Sequence, residues 1–256
     1  MSKESINPFS LEGQLGLITG GGTGIGLGIA QAYVAQGARV VITGRREELL
    51  AQAVAQLGPM ADYRVHDVTQ YDTTEALIES IEAQYGPLTS LVNNAGNQIR
   101  REAEDFTEEE MQQVLDVHLV GAFSMSRHAA RRMMVRGNGN ILYIASMASL
   151  FGIPYVSAYA AAKTAHLGLV RTLATEWSGR GVRINAIAPG WIVTEMSRTA
   201  FENNPERKAK VLGRTPMQQL GGPEDIGWTA AFLASSAAKF ITGTCIPVDG
   251  GASIGF

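Results

Sequence analysis

The sequence predicts a single doubly wound α/β domain, built on a seven-stranded parallel sheet with helices on both faces. Short apolar, β-branched runs alternate with longer helix-patterned stretches along all 256 residues, and six of the seven runs are followed by a helical pattern. The runs are almost continuously apolar, which is typical of strands covered on both faces. At 45% hydrophobic and 18% charged residues, the chain can bury a full core. We expect an N-terminal extension over 1–12 and one domain over 13–256.

Seven segments have the composition of buried strands: Leu15–Thr19, Val40–Thr43, Tyr63–His66, Leu88–Val92, Ile141–Ala145, Ile184–Ala188 and Cys245–Val248. Helical patterns lie between them at 24–36, 46–57, 70–85, 107–136, 157–178 and 223–234. Thr107 precedes three glutamates, which is the usual start of a helix. The segment 189–216 is too long for an ordinary connection, so we expect a substrate lid there with a short helix or two.

Composition and charge exclude several classes of protein. The net charge is −3 and no basic cluster is long enough to follow a phosphate backbone, so nucleic acid is not an expected partner. Cys245 is the only cysteine and cannot form an intrachain disulfide. The N-terminal stretch lacks an apolar signal core, and no apolar run reaches the roughly 20 residues of a membrane span. We therefore expect a soluble cytoplasmic protein.

A glycine-rich turn follows the first predicted strand, with glycines at 20, 24 and 26. Glycine permits tight turns and lets backbone N–H groups approach a pyrophosphate, whose charge is favoured at a helix N-terminus. Such a turn is a weak signal alone, because glycine loops also occur for purely conformational reasons. Its place between a first strand and a first helix indicates a dinucleotide site.

Tyr159 and Lys163 lie one helical turn apart, and Ser146 lies 13 residues before the tyrosine. A tyrosine with a pKa near 10 is a poor base at neutral pH. A neighbouring ammonium and an oxidised nicotinamide would favour the phenolate, so Tyr159 could exchange a proton with an alkoxide while Ser146 bonds the substrate oxygen. Tyr and Lys at this spacing also occur on ordinary amphipathic helices. Together with the glycine turn, they predict interconversion of a carbonyl and an alcohol.

These motifs together resemble the short-chain dehydrogenase/reductase family. The resemblance rests on Thr19-Gly20-x-x-x-Gly24-x-Gly26, Asn93-Asn94-Ala95-Gly96, Ser146 before Tyr159-x-x-x-Lys163, and Pro189-Gly190. It covers the chain except for about the first dozen residues. It implies a Rossmann-like fold, a nicotinamide cofactor and a homotetramer that uses the helices at 107–136 and 157–178.

The resemblance also implies a set of cofactor contacts, with Lys163 on the nicotinamide ribose. The implied set is Gly20, Gly22, Thr23, Gly24, Ile25, Gly26, Arg45, Arg46, Asp67, Val68, Asn94, Ala95, Gly96, Tyr159, Lys163, Pro189, Gly190, Ile192 and Thr194.

The end of the second predicted strand indicates NADP rather than NAD. An acidic residue there would bind the ribose 2′-hydroxyl, but the chain carries Arg45 and Arg46 instead. Guanidinium groups suit a 2′-phosphate. The alternative is that both arginines decorate a solvated helix start, although positive charge there opposes the helix dipole. We therefore expect NADP(H).

One position departs from the family pattern. His118 stands where many members carry an asparagine that helps to hold a water linking the lysine to solvent. Histidine can also donate and accept hydrogen bonds, so it could serve in this proton relay and add a pH dependence. It could equally be a satisfied buried histidine. His66, His128 and His166 lack Glu or Cys at ligand spacing, so no metal site is expected.

The segments Gly96–Glu102 and Ile144–Ser149 resemble those of gluconate and 2-deoxygluconate dehydrogenases within the family. Arg101 could clamp an aldonate carboxylate. Alternatively, Arg100 and Arg101 pair with Glu102, Glu104 or Asp105. The candidate substrate residues are Arg101, Met147, Tyr155, Trp191 and Met196.

Three functions follow from this resemblance. The first is an NADP(H)-dependent oxidoreductase acting on a ketone or secondary alcohol of a sugar acid or polyhydroxy compound. The second is a 3-oxoacyl carrier-protein reductase, because those enzymes share the general motifs. The third is an NADP-binding sensor without turnover.

Overall fold

The computed structural model of this chain describes residues 7–194 and 205–255. Its strands form one parallel, seven-stranded sheet in the order β3-β2-β1-β4-β5-β6-β7, which confirms the predicted fold class. The strands are β1 (Leu15–Thr19), β2 (Arg39–Gly44), β3 (Ala61–Val65), β4 (Ser90–Asn93), β5 (Gly139–Ile144), β6 (Val182–Pro189) and β7 (Cys245–Val248).

The α-helices of the described ranges follow the strands in turn. They are α1 (Gly24–Ala35), α2 (Glu47–Leu57), α3 (Thr74–Tyr85), α4 (Glu108–Leu115), α5 (Ala122–Arg136), α6 (Ser157–Trp177), α7 (Pro205–Arg214) and α8 (Pro223–Ala234). None of them is both long enough and apolar enough to cross a lipid bilayer.

Two hydrophobic clusters cover the two faces of the sheet. One contains side chains from α1, α2 and α8, such as Ile29, Leu50 and Leu233. The other contains side chains from α3, α5 and α6, such as Ile78 and Leu173. Because the central strands β1, β4 and β5 are buried on both faces, their apolar runs are continuous rather than alternating.

The helix predicted over 107–136 runs over this range but contains one π-helical turn. It begins where the sequence indicates, with a capping box in which the Thr107 hydroxyl accepts the Glu110 N–H and the Glu110 carboxylate accepts the Thr107 N–H, each at 3.2 Å. A π-helical turn over Asp116–Gly121 then separates α4 from α5. Such turns insert one extra residue into a helix and occur frequently at functional sites.

Candidate active site

The candidate site lies at the carboxyl ends of the strands, where the order of the sheet reverses between β1 and β4. Thr19 joins the two strand ends. Its hydroxyl donates to the carbonyl of Val92 at 3.2 Å and accepts the N–H groups of Asn94 and Ala95 at 3.0 Å each. The Asn94 side chain donates back to the carbonyls of Thr19 and Gly20, also at 3.0 Å. The glycine turn is therefore fixed to the end of β4.

The glycine turn has a backbone shape that depends on missing side chains. Gly20 and Gly24 have φ angles of +65° and +54°, in the left-handed region that glycine favours. A Cβ on Gly26 would lie 2.3 Å from the carbonyl oxygen of Gly20. These features bring the start of α1 close to the turn, so its free N–H groups face the cleft.

We expect Gly26→Ala to lower the free energy of unfolding by about 1–3 kcal/mol, the usual cost of overpacking. This steric cost exceeds the roughly 0.5–1 kcal/mol by which alanine is favoured over glycine inside a helix. Gly152→Ala is the matched control, because no atom lies within 4 Å of its added Cβ. Urea unfolding of both variants tests this, and equal midpoints would contradict it.

A cleft of about 750 Å³, open to solvent, runs from the glycine turn to the end of β3. It is lined by many of the predicted cofactor residues: Gly20, Gly22, Thr23, Arg45, Arg46, Asp67, Val68, Ala95 and Gly96. It is also lined by residues that the sequence analysis did not single out: Thr43, Gly44, Leu49, Leu50, His66, Asn97 and Val117. Thr43 and Gly44 end β2 and His66 directly follows β3, so their positions at strand ends could have indicated these three.

Arg45 stands at the rim of this cleft. Its side chain is 71% exposed, and its guanidinium lies 3.8 Å from the carboxylate of Asp67. Asp67 is held by Thr69, whose N–H and hydroxyl both donate to one carboxylate oxygen. At 3.8 Å and with such exposure, the ion pair contributes little and leaves the arginine able to reorient toward an anion.

The remaining predicted cofactor residues lie around the same strand ends. A Cβ on Gly24 would lie 3.2 Å from Thr194 Cγ2, so Thr194 sits over the start of α1. Gly190 packs against the backbone of Asp249, and Ile192 is buried. Ile25 packs against the core, and Pro189 ends β6.

The predicted catalytic side chains meet beside this cleft. Ser146 follows β5, and its hydroxyl accepts the Ala148 N–H at 3.1 Å. Tyr159 and Lys163 lie on one face of α6, with the Lys163 Nζ 5.6 Å from the centre of the phenol ring. Lys163 Nζ also donates to the carbonyl of Ile144 at 2.5 Å. The structure thus brings together the serine, tyrosine and lysine that the sequence analysis predicted to act together.

In the structure without a cofactor, the pKa of Tyr159 is raised rather than lowered. Burial raises the pKa of Tyr159, and a hydrogen bond with Ser146 opposes that rise. Burial also lowers the pKa of Lys163 to about 7. The lysine loses its own hydration on entering the site, which disfavours its charged form and weakens its support for the phenolate.

His118 lies in the π-helical turn and is 2% exposed. Its ring meets the Tyr159 ring edge-on, with centroids 5.3 Å apart and an interplanar angle of 86°. Its Nε2 lies 2.7 Å from the carbonyl oxygen of Asn97 and 3.1 Å from the Asn97 amide nitrogen. Gly96 makes room for the ring, since a Cβ there would lie 2.4 Å from His118 Cε1.

The sequence left open that His118 titrates near neutral pH and adds a pH dependence, but the structure lowers its pKa far below that range. Burial, with the nearby charge of Lys163, lowers its pKa to about 2. His166, which is 1% exposed, has its pKa lowered to about 3 for the same two reasons. Both imidazoles are therefore neutral wherever the protein is folded.

We expect the stability of the protein to fall as the pH drops below 6.5, the unperturbed histidine value. The unfolded chain then binds protons that the folded state does not, so each buried imidazole removes about 2 kcal/mol of stability by pH 5. His118→Asn should reduce the loss between about pH 7.5 and pH 5 by that amount. Urea unfolding across this range measures it, and an unchanged pH dependence would contradict it.

On the substrate side, Arg101 forms an ion pair with Glu110 at 2.6 Å. The alternative that Arg101 pairs with Glu102, Glu104 or Asp105 is thus wrong about the partner. Helix α4 instead brings the carboxylate of Glu110, in its first turn, to the arginine. The Arg101 N–H also donates to the carbonyl of Tyr155 at 3.1 Å. Tyr155 has a φ of +68° and is 47% exposed. This contact links the two loops that follow β4 and β5.

The other candidate substrate residues are less close to the cleft. Met147 is 2% exposed and belongs to the core. Trp191 lines a separate pocket, open to solvent, with Thr215 and Asp249. Met196 lies outside the described residues. Within the described ranges, no group of three or more His, Cys, Asp or Glu residues could hold a metal ion.

The chain is similar over most of its length to known oxidoreductases. A family model described as enoyl-(acyl carrier protein) reductase matches residues 20–253. The chain is 40% identical over 249 residues to a 2-dehydro-3-deoxy-D-gluconate 5-dehydrogenase of Bacillus subtilis, covering 95% of this chain and 96% of that protein. It is 35% identical over 247 residues to a 3-oxoacyl-[acyl-carrier-protein] reductase of Salmonella typhimurium, covering 95% and 98%.

A solved structure gives a similar result. A gluconate 5-dehydrogenase from Burkholderia cenocepacia, in complex with NADP and tartrate, superposes with a TM-score of 0.91. It is 35% identical, and the match covers 97% of this chain and 98% of that one.

Proposed function

Because this chain belongs to the short-chain dehydrogenase/reductase family, we propose that it is an NADP(H)-dependent oxidoreductase that interconverts a ketone and a secondary alcohol on a sugar acid or related polyhydroxy compound. The observation that carries this proposal is the placement of Ser146, Tyr159 and Lys163 beside a cleft built on a glycine turn. When bound, the nicotinamide supplies or accepts the hydride.

Tyr159 is the proton donor to the substrate oxygen during reduction and the acceptor during oxidation. Its raised pKa in the free protein keeps the phenol protonated at neutral pH, which suits the acid role in ketone reduction. Ser146 bonds the same substrate oxygen and stabilises the negative charge that develops on it. The hydrogen bond between the two hydroxyls places both on the same side of the site.

Lys163 has two tasks. Its bond to the carbonyl of Ile144 fixes the amine beside the end of β5. From there it would bind the ribose hydroxyls of a bound nicotinamide and support proton exchange at the Tyr159 hydroxyl. A pKa of about 7 suits such exchange, because both protonation states are populated at neutral pH.

The cleft fits NADP in shape and charge. The glycine turn lines the cleft with Gly20 and Gly22 and offers backbone N–H groups to a pyrophosphate. The exposed Arg45, with Arg46 at the start of α2, suits a 2′-phosphate. The NADP bound to the Burkholderia relative supports this assignment.

Sugar-acid chemistry is supported by the relative that acts on 2-dehydro-3-deoxy-D-gluconate and by the gluconate 5-dehydrogenase structure. The main alternative, reduction of a 3-oxoacyl thioester, is supported by the Salmonella relative. A panel of keto-aldonates, ketoses and 3-oxoacyl thioesters, followed by the loss of NADPH absorbance, distinguishes them. Turnover restricted to thioesters would replace the first proposal with the second, and NADPH binding without any turnover would favour a sensor.

Arg101 is the residue through which a carboxylate substrate would be recognised. Its ion pair with Glu110 means that the substrate must compete with a carboxylate already present. We expect Arg101→Ala to raise the KM for a keto-aldonate by roughly 10-fold or more, the cost of losing one charge-assisted bond. A neutral ketose serves as control substrate, and equal changes for both substrates would contradict the clamp.

We further propose a cytoplasmic homotetramer with one domain over 13–256 and a lid over 189–216. The assembly is supported by the family resemblance and by the exposed apolar side chains of Val120 and Phe123 on the π-helical turn and α5. Size-exclusion chromatography with light scattering tests the tetramer. The cytoplasmic location is consistent with a single cysteine, and residues 195–204 of the lid lie outside the described ranges.

A further inference from the structure

Tyr159, Lys163 and His166 share one face of α6, because they occupy positions i, i+4 and i+7 of the same helix. His166 is buried, and its ring packs against that of Tyr143 with centroids 5.1 Å apart. The helix that carries the proposed acid and amine thus carries a third polar side chain in the same interior.

His166 makes its hydrogen bond to another helix. Its Nε2 lies 2.7 Å from the main-chain oxygen of His118, within the π-helical turn. A carbonyl oxygen can only accept, so the imidazole must carry its proton on Nε2. The bond therefore selects one tautomer of His166.

This bond joins α6 to a carbonyl of the π-helical turn. The extra residue in the turn displaces carbonyls from the regular hydrogen-bonding pattern of the helix, and a buried carbonyl requires a donor. The turn also sets the position of the His118 ring, which contacts the phenol of Tyr159 on one side and the backbone of Asn97 on the other. The bond from His166 thus connects α6 to the ring that packs on its own tyrosine.

The charged and titratable groups around this bond are consistent with a neutral imidazole. Burial, together with the charge of Lys163 on α6, lowers the pKa of His166, and the carbonyls of His118 and Ile144 oppose that shift only in part. Tyr143 on β5 has its pKa raised by burial and donates its hydroxyl proton to Ser126. A protonated His166 would add a second cation next to Lys163, and within the described ranges no carboxylate raises the pKa of His166.

We propose that His166 is a positioning residue for the reaction: its Nε2–H, bonded to the main-chain oxygen of His118, holds the π-helical turn in the register that sets the His118 ring against Tyr159. The proposal rests on the proposed function for its kinetic consequence. The tautomer and the hydrogen bond do not depend on which substrate is turned over.

Two amide variants test the bond with matched chemistry. The side-chain nitrogen of glutamine matches the position of Nε2, whereas that of asparagine matches Nδ1 and falls short of His118. We expect His166→Asn and His166→Leu to lower kcat roughly 10- to 100-fold, as small displacements of reacting groups do. His166→Gln should regain most of the parent kcat, and the Kd for NADPH should stay near the parent value in all three.

His128→Leu is the control for loss of a buried histidine, since it lies on α5 outside the proposed machinery. Parent-like kcat in His166→Leu, equal kcat in the Gln and Asn variants, or parallel loss of NADPH binding would each overturn the positioning role. A parent enzyme without turnover on the substrate panel would instead contradict the proposed function.

Nitrogen-15 NMR of the parent holoenzyme provides a test that needs no variant to fold. We expect the His166 ring to show the neutral Nε2–H tautomer throughout the range from about pH 5 to pH 8. A ring that carries its proton on Nδ1, or that becomes cationic in this range, would overturn the proposal.

Discussion

Tyr159→Phe should reduce kcat by roughly 10²- to 10⁴-fold, the range associated with loss of a general acid. The phenylalanine keeps the ring that packs against His118 but removes the hydroxyl that bonds Ser146. The fold and the cofactor cleft should survive, because the hydroxyl does not line the glycine turn. Steady-state kinetics with fluorescence titration of NADPH measures both quantities.

Tyr63→Phe is the matched control for that variant. It removes a phenol hydroxyl that donates to Glu47 at 3.2 Å from the edge strand β3, whereas Ser146 follows the inner strand β5. We expect parent-like turnover from it. If Tyr159→Phe retained most of the activity of this control, the assignment of the proton donor would be refuted.

Arg45→Asp should produce the second large effect, a change in cofactor preference. Loss of a charge-assisted bond to the 2′-phosphate costs about 1.5–3 kcal/mol, which corresponds to a KM for NADPH raised roughly 10- to 100-fold. The new carboxylate would lie near Asp67, so it adds repulsion toward a phosphate. NADH carries no such phosphate, and its KM should change far less.

Lys239→Asp provides the control for charge alone, because it makes the same charge change at a distant exposed position. Both cofactors should bind to this variant as they bind to the parent. Equal losses for NADPH and NADH in Arg45→Asp would show that Arg45 does not distinguish the two, and the NADP assignment would then rest on the relatives alone.

Local sequence patterns predicted most of the fold. The strands Leu15–Thr19 and Cys245–Val248 have the predicted bounds, since their apolar runs are bordered by glycine and turn residues. The Thr107 helix start was equally clear, because capping depends on residues three apart. The π-helical turn at Asp116–Gly121 was not predictable, since its partner, His166, lies 48 residues from His118.

In the candidate site too, features set by neighbouring residues were predictable, whereas contacts between distant parts of the chain were not. The spacing of Tyr159 and Lys163 fixes their common face through helix geometry alone. By contrast, the pairing of Arg101 with Glu110 depends on how α4 approaches the loop after β4. The neutral state of His118 depends on burial, which no single residue type reveals.

The hydroxyl of Thr19 uses its full hydrogen-bonding capacity, as one donor and a double acceptor, across the ends of β1 and β4. These hydrogen bonds hold the ends of β1 and β4 at a fixed separation, so the cofactor cleft between them has a fixed width. Redesign of the cofactor preference can then be confined to Arg45 at the rim of the cleft. Substitutions there change whether a 2′-phosphate or a 2′-hydroxyl is recognised, while the width of the cleft stays the same. The residues that set the width of the cleft are thus different from the residue that recognises the 2′-phosphate.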